Sequence, residues 1–184
     1  MASVLIPLAQ GCEELEAVTI IDLLRRAGIN VVTAGLDAEP VKASRGVVLV
    51  PDAELSEVLD QSFDMIVLPG GLPGADFLNE DCRIHRLLCE MNEKGNLMAA
   101  ICAAPKVLAS AGMLNDKKAT SFPGALEGID VPGMIYSTSS VVVDGNVITS
   151  RGPGTAMDFA LTLIELLSGS EKRKVVEKPL QRPE

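Results

Sequence analysis

One cysteine, Cys102, lies in a position typical of nucleophilic cysteines in α/β proteins. The apolar run 97–101 predicts a buried strand that continues directly into a helical segment, 103–108. The start of a helix offers free backbone N–H groups and a partial positive charge, and both favour thiolate over thiol. Small residues follow the cysteine and permit a sharp turn, while Pro105 suits the first helical turn. We therefore predict a reactive thiol at a strand-to-helix elbow, with a buried structural cysteine as the alternative.

A carboxyl partner for this thiol is available in the first predicted helix. Glu16 is surrounded in the sequence by the apolar residues Leu15, Ala17 and Val18. If Glu16 faces Cys102, burial would raise the pKa of its carboxyl, which could then share a proton with the thiolate. A solvated helix glutamate is the alternative.

Backbone N–H groups that could hold an oxyanion are also predicted near the thiol. Gly70 and Gly71 follow an apolar strand and carry no side chain that would block an approaching group. Together with the N–H of Ala103, they could stabilise the oxyanion that forms when a thiolate attacks a carbonyl. A pair of glycines is common in loops, so this prediction depends on the position of the thiol.

Histidine chemistry and metal binding are both disfavoured. His85 is the single histidine and lies within a charged helical segment, so a Cys-His-Asp site would have to use it. No histidine follows Cys102, which argues against proteolysis and glutamine amidotransfer. Cys82, His85 and Cys89 share a helix face, but the outer pair is separated by roughly 10 Å, too far for one metal ion. We expect neither a metal nor a cofactor.

Composition restricts the class of protein further. The 184 residues, 47% of them apolar, predict one domain over 1–184. A net charge of −9 argues against nucleic acid and anionic membranes as partners, and no apolar run reaches the roughly 18 residues of a membrane span. The four cysteines show no paired spacing, which favours a reducing compartment and predicts a cytoplasmic location.

Short apolar runs alternate with helical patterns along the chain. Strands are predicted at 4–9, 31–34, 65–68 and 97–101, with a strand or hairpin at 42–50 and a hairpin at 141–149. Helices are predicted at 13–26, 81–94, 103–108 and 155–168, with a polar helix from 171. This alternation predicts an α/β fold with a mostly parallel sheet and helices on both faces. The turn after Ala9, the Gly70-Gly71 turn and Cys102 should then meet at the carboxyl edge of the sheet.

Five short motifs, spread in order over nearly the whole chain, carry a family resemblance. They are G-C-E-E-L-E-A-V at 11–18, D-L-L-R-R-A-G at 22–28, V-L-P-G-G at 67–71, A-A-I-C-A-A-P at 99–105 and T-S-R-G-P-G-T at 149–155. Together they resemble the ThiJ/PfpI superfamily and, within it, the DJ-1 branch. The resemblance implies a flavodoxin-like α/β sandwich that forms a homodimer through the region of the first helix.

The resemblance also implies roles for individual residues. Cys102 matches an oxidation-prone nucleophile, and Glu16 matches the carboxyl that hydrogen-bonds it. The other implied residues are the backbone donors Gly70, Gly71 and Ala103 and two basic residues near the pocket, Arg26 and Arg45, one of them contributed across the dimer interface. One position departs from the pattern, because Phe122 stands where a histidine is found near the cysteine. Glu16 would then be the sole acid–base partner.

Two classes of function follow from the resemblance. The first is a cofactor-independent enzyme with glyoxalase or deglycase activity, in which Cys102 attacks small dicarbonyls or their adducts. The second is a redox-sensing stress-response protein, or a holdase-type chaperone for unfolded client proteins, with little turnover. Both use the same thiol and need not exclude each other.

Overall fold

The computed structural model describes residues 1–182, and its strands follow the alternating pattern of the sequence. The strands are β1 Ser3–Leu8, β2 Asn30–Gly35, β3 Val41–Lys42, β4 Val48–Leu49, β5 Ala53–Glu54, β6 Met65–Leu68, β7 Leu97–Ile101, β8 Lys118–Ala119, β9 Ile135–Tyr136, β10 Val141–Asp144 and β11 Val147–Ser150. The helices are α1 Glu14–Arg26, α2 Leu55–Val58, α3 Gly74–Glu80, α4 Cys82–Glu93, α5 Pro105–Ser110, α6 Ala156–Ser168 and α7 Ser170–Glu177. Single 3-10 turns cover Pro153–Thr155 and Lys178–Leu180.

A seven-stranded sheet forms the centre of the molecule. Its strand order is β10-β11-β7-β6-β1-β2-β5, and every pair is parallel except the β10–β11 hairpin at one edge. The strands β7, β6 and β1 are neighbours, so the segments that leave their carboxyl ends lie side by side. These segments are the Cys102 elbow, the Gly70-Gly71 turn and the loop that leads into α1.

Helices cover both faces of this sheet, as predicted. One apolar cluster joins α1 and α6 to one face, and a second joins α2, α3, α4 and α5 to the other. Such double coverage explains why the central strands are apolar along their whole length rather than alternating. The predicted mostly parallel α/β architecture is therefore confirmed. Among residues 1–182, no helix is both long enough and apolar enough to cross a membrane.

Most of the predicted elements are present, and the 42–50 segment forms the antiparallel β3–β4 hairpin. Two short helices, α2 and α3, were not predicted. The first helix, α2, is a single turn. The second helix, α3, begins after Pro73, and no side chain caps it, so the sequence carries no start signal for α3. The predicted Asp144-Gly145 turn is displaced by one residue. Asp144 still pairs with Val147, and the turn is formed by Gly145 and Asn146.

Candidate active site

The thiol of Cys102 is held at a strained turn between β7 and α5. Cys102 has a φ of +63°, in the left-handed region that residues with a side chain rarely adopt. Its backbone N–H donates to the Ser150 carbonyl at 3.0 Å, and its own carbonyl accepts from the Phe122 N–H at 2.8 Å. These two bonds hold the strained conformation in place, a feature that clusters at functional sites. The predicted elbow is present at this position.

Glu16 is fully buried beside this thiol, in the first turn of α1. Its Oε2 accepts a hydrogen bond from the Gly70 N–H at 2.9 Å, and its carboxyl is also hydrogen-bonded to Cys102. Its other oxygen, Oε1, is buried and has no hydrogen-bond partner among the described residues. A buried carboxyl with a free oxygen is suited to holding or moving a proton. The alternative of a solvated helix glutamate is thereby excluded.

Gly70 and Gly71 allow the three segments to approach one another closely. A methyl group at Gly70 would lie 2.6 Å from Cβ of Cys102 and 2.8 Å from Oε2 of Glu16. A methyl group at Gly71 would lie 2.4 Å from the backbone nitrogen of Glu13, and Gly71 has a φ of +88°. All three distances are shorter than van der Waals contact, so only glycine fits at either position.

The pKa values of the two side chains are linked. Burial raises the pKa of Glu16 to about 7, although its hydrogen bonds with Gly70 and Cys102 lower it. Burial, together with the charge of an ionised Glu16, raises the pKa of the Cys102 thiol to about 12. Hydrogen bonds from the N–H groups of Gly71 and Ala103 act in the opposite direction and lower it.

The start of α5 is therefore only one of the influences on the Cys102 pKa. Two causes of the raised Cys102 pKa come from Glu16 in its ionised form. When Glu16 carries the proton instead, its charge is absent and its O–H can donate to sulfur. The pair passes from two protons to one near pH 7, and we propose that a thiolate forms in the fraction of molecules whose remaining proton lies on Glu16.

The backbone donors differ in part from the sequence prediction. The N–H groups of Gly71 and Ala103 hydrogen-bond the Cys102 sulfur and lower its pKa, and their role at an oxyanion stays a prediction. The N–H of Gly70 instead donates to Glu16, so this residue positions the carboxyl rather than the thiol. Two donors on sulfur and one on the acid keep the pair in a fixed geometry.

Among residues 1–182, neither of the two predicted basic residues forms a hydrogen bond or an ion pair with Cys102 or Glu16. Arg26 is the last residue of α1, ten residues from Glu16 and so about 15 Å along the helix, and its Nε donates to Asp22 at 2.5 Å. Arg45 is exposed in the β3–β4 turn, where its backbone N–H donates to the Glu14 carboxylate at 2.8 Å. A role for either guanidinium at the thiol stays a prediction that depends on a partner subunit.

The mouth of the site is formed by residues whose function the sequence did not reveal. A methyl group at Gly152 would lie 3.9 Å from Sγ of Cys102 and 3.4 Å from the ring of Phe122. Phe122 itself is half-exposed. Gly152 belongs to a quoted family motif, but nothing in its local pattern indicates that β11 would bring it beside the thiol. Only the motif T-S-R-G-P-G-T at 149–155 pointed to Gly152. The pairing of β11 with β7 explains this motif, because it brings Gly152 beside the thiol.

The elbow, the buried acid and the glycine turn define a class of α/β proteins in which a thiol and a carboxyl meet at the carboxyl edge of the sheet. The profile of the DJ-1/PfpI family matches residues 2–166, and the chain belongs to this family. Protein dj-1beta of Drosophila melanogaster is 46% identical over 179 residues, covering 97% of this chain and 96% of that protein. The crystal structure of Drosophila DJ-1beta superimposes with a TM-score of 0.94 at 45% identity, covering 100% and 99% of the two chains.

A further relative carries an activity in its name. The glutathione-independent glyoxalase DJR-1.2 of Caenorhabditis elegans is 39% identical over 179 residues, covering 97% of this chain and 95% of that protein. The implied family membership is thus confirmed by both sequence and structure.

Proposed function

We propose that this protein is a cofactor-independent glyoxalase that converts small α-oxoaldehydes into hydroxy acids. The observation that carries the proposal is the buried Cys102–Glu16 pair, which combines a nucleophile with a carboxyl whose pKa is raised to about 7. A carboxyl with this pKa can both donate and accept a proton at neutral pH. The glyoxalase named among the relatives supports the same reaction class.

The first step is the addition of sulfur to the aldehyde carbon. The thiolate of Cys102 forms an S–C bond, and the electron pair of the C=O π bond moves to oxygen. The N–H groups of Gly71 and Ala103, which hydrogen-bond the sulfur, are the donors we assign to this oxyanion. The proton on Glu16 then passes to the oxygen, leaving a hemithioacetal and an ionised carboxylate.

The second stage moves a hydrogen from one carbon to the next. The Glu16 carboxylate removes the proton from the former aldehyde carbon, giving an enediolate. The hydroxyl proton on that carbon moves to the neighbouring oxygen, and Glu16 returns its proton to the neighbouring carbon, so that the former aldehyde carbon becomes the thioester carbonyl. The product is a thioester of the hydroxy acid. Water hydrolyses this thioester, so that one water is consumed in total, the thiol is regenerated, and no external oxidant or reductant takes part.

The proposal is tested by measuring D- and L-lactate formed from methylglyoxal. We expect Cys102→Ser to lose at least about a thousandfold in kcat/KM, because the hydroxyl is a far weaker nucleophile at neutral pH. Cys89→Ser is the matched control, since Cys89 is an exposed thiol on α4, on the far side of the sheet from α1. Lactate formation that survives in Cys102→Ser, or a wild-type protein without turnover, would contradict the proposal.

A redox-sensing function is the second candidate, and the free oxygen of Glu16 favours it. A protonated Oε1 could donate a hydrogen bond to an oxygen of an oxidised Cys102, since it has no other partner among residues 1–182. The lactate assay separates the two candidates. Absence of turnover in the wild-type protein would favour the redox function over the enzyme.

We also retain the homodimer as a proposal. The outer face of α1 exposes Leu15 and Val18, and the neighbouring β3–β4 hairpin exposes Val48 and Val50. A patch of apolar side chains of this kind is typical of a protein–protein interface. Burial of the patch against a second copy would bring residues of the partner subunit close to the loop that precedes α1.

A further inference from the structure

A cavity of about 450 Å³ lies beside the candidate active site. Its lining is mostly apolar and includes Pro123, Leu126, Met134, Tyr136 and, on one wall, Arg151. A smaller hollow of about 250 Å³ shares Pro123 and Arg151 with this cavity and is otherwise formed by Phe122 and residues 152–155. The two spaces therefore adjoin each other across Arg151.

This smaller hollow lies close to the thiol. Gly152 forms part of the hollow, and a methyl group on it would lie 3.9 Å from Sγ of Cys102. Arg151 is the preceding residue, so its Cα is only about 3.8 Å from that of Gly152. A molecule bonded to the sulfur could thus extend past Gly152 toward Arg151.

The guanidinium of Arg151 lacks a counter-ion within the described part of the chain. Its Nη1 makes one long hydrogen bond, 3.4 Å, to the Thr138 carbonyl, and its Nε is buried without any acceptor. No carboxylate of residues 1–182 lies within 4.0 Å of it, whereas Arg83 pairs with one carboxylate and Arg173 with two. Burying a charge without a partner raises the free energy of the folded protein, and a bound anion would offset that increase.

We propose that Arg151 binds a carboxylate on the substrate, and that the protein favours oxoaldehydes that carry a single negative charge at the far end of a short chain. This substrate class rests on the proposed glyoxalase function. Arginine donors form strong, geometrically defined bonds with carboxylates. Glu127 lines the same cavity and would repel a doubly charged group, which makes a monoanionic carboxylate a better fit than a phosphate monoester.

The test uses a reagent that reports binding without turnover. The chloroketone 5-chloro-4-oxopentanoate alkylates a thiolate by displacement of chloride, and its neutral amide has the same size. We expect the second-order rate constant for labelling Cys102 to be about tenfold higher for the carboxylate than for the amide. In Arg151→Gln this ratio should fall to about one. Arg151→Lys should keep part of it, because the charge remains but the planar guanidinium is lost.

Control variants and folding measurements establish whether a change in the labelling ratio is due to Arg151. Arg86→Gln removes an exposed arginine that pairs with Glu90 on α4, and it should leave the ratio unchanged. Circular dichroism and thermal melting establish that each variant is folded. A ratio near one in the wild-type protein, or an unchanged ratio in folded Arg151→Gln, overturns the proposal. The labelling rate tests the role of Arg151, and lactate formation tests the proposed glyoxalase function. Because the labelling reaction needs no turnover, either proposal can fail without the other.

Discussion

Substitution of Glu16 by glutamine is expected to lower kcat for methylglyoxal by about 10²- to 10⁴-fold while the fold is retained. Glutamine has nearly the same size and can still accept the hydrogen bond that Gly70 donates to Oε2. It cannot donate a proton to the oxyanion or remove one from carbon. The loss should therefore appear in kcat, with lactate formation as the measurement.

The stability of this variant provides its control. The pKa of Glu16 is raised to about 7 in the folded protein, so the native state binds its proton more tightly than the unfolded chain does. The contribution of Glu16 to stability is therefore lost as the pH rises through 7, and Glu16→Gln should be no less stable than wild type at pH 8. Glu90→Gln, at an exposed position of α4, should leave kcat unchanged. A kcat within about threefold of wild type in Glu16→Gln would contradict the assigned role of the acid.

Substitution of Gly71 by alanine is expected to cause the largest loss of stability. The added methyl group would lie 2.4 Å from the Glu13 nitrogen and 2.7 Å from the Gly11 oxygen, both of which are backbone atoms. The residue would also have to keep a φ of +88°. Overpacking and backbone strain each cost about 1–3 kcal/mol, so we expect a loss of about 4 kcal/mol in the free energy of unfolding, measured in urea.

Gly95→Ala is the matched control for this prediction. Gly95 also has a positive φ, +72°, but a methyl group there would meet nothing within 4 Å. It therefore carries the backbone strain without the steric overlap, and we expect a loss of about 1 kcal/mol. Equal losses in the two variants would mean that the segments around Gly71 are less closely packed than described.

The sequence determined the parts of the site that depend on local pattern. The apolar run 97–101, the small residues after Cys102 and Pro105 are sufficient to predict the elbow. Glu16 could be named as a candidate because apolar residues surround it. Its orientation could not be derived from the helix alone, because it depends on the contact between the start of α1 and the Gly70 turn and on the lack of a side chain at Gly70.

Other features depend on segments that are distant in sequence. Gly152 reaches the thiol only because β11 pairs with β7, and the cavity at Arg151 needs the 121–138 segment to fold over it. The pKa of Cys102 is a property of the pair, so the helix-start argument gave only one of its contributions. The family resemblance placed Arg26 near the pocket, but within one chain it lies at the far end of α1 from Glu16. A role at the thiol therefore depends on a homodimer, which the sequence of one chain does not describe.

The shared proton between Cys102 and Glu16 is tested most directly by the pH dependence of iodoacetamide alkylation at Cys102. Peptide mapping resolves the four cysteines, and exposed Cys82 and Cys89 serve as internal references in the same sample. We predict a step in the Cys102 rate near pH 7, where the pair loses its first proton, and its disappearance in Glu16→Gln. A single titration near the value of about 8.5 for free cysteine, unchanged by Glu16→Gln, would contradict the account.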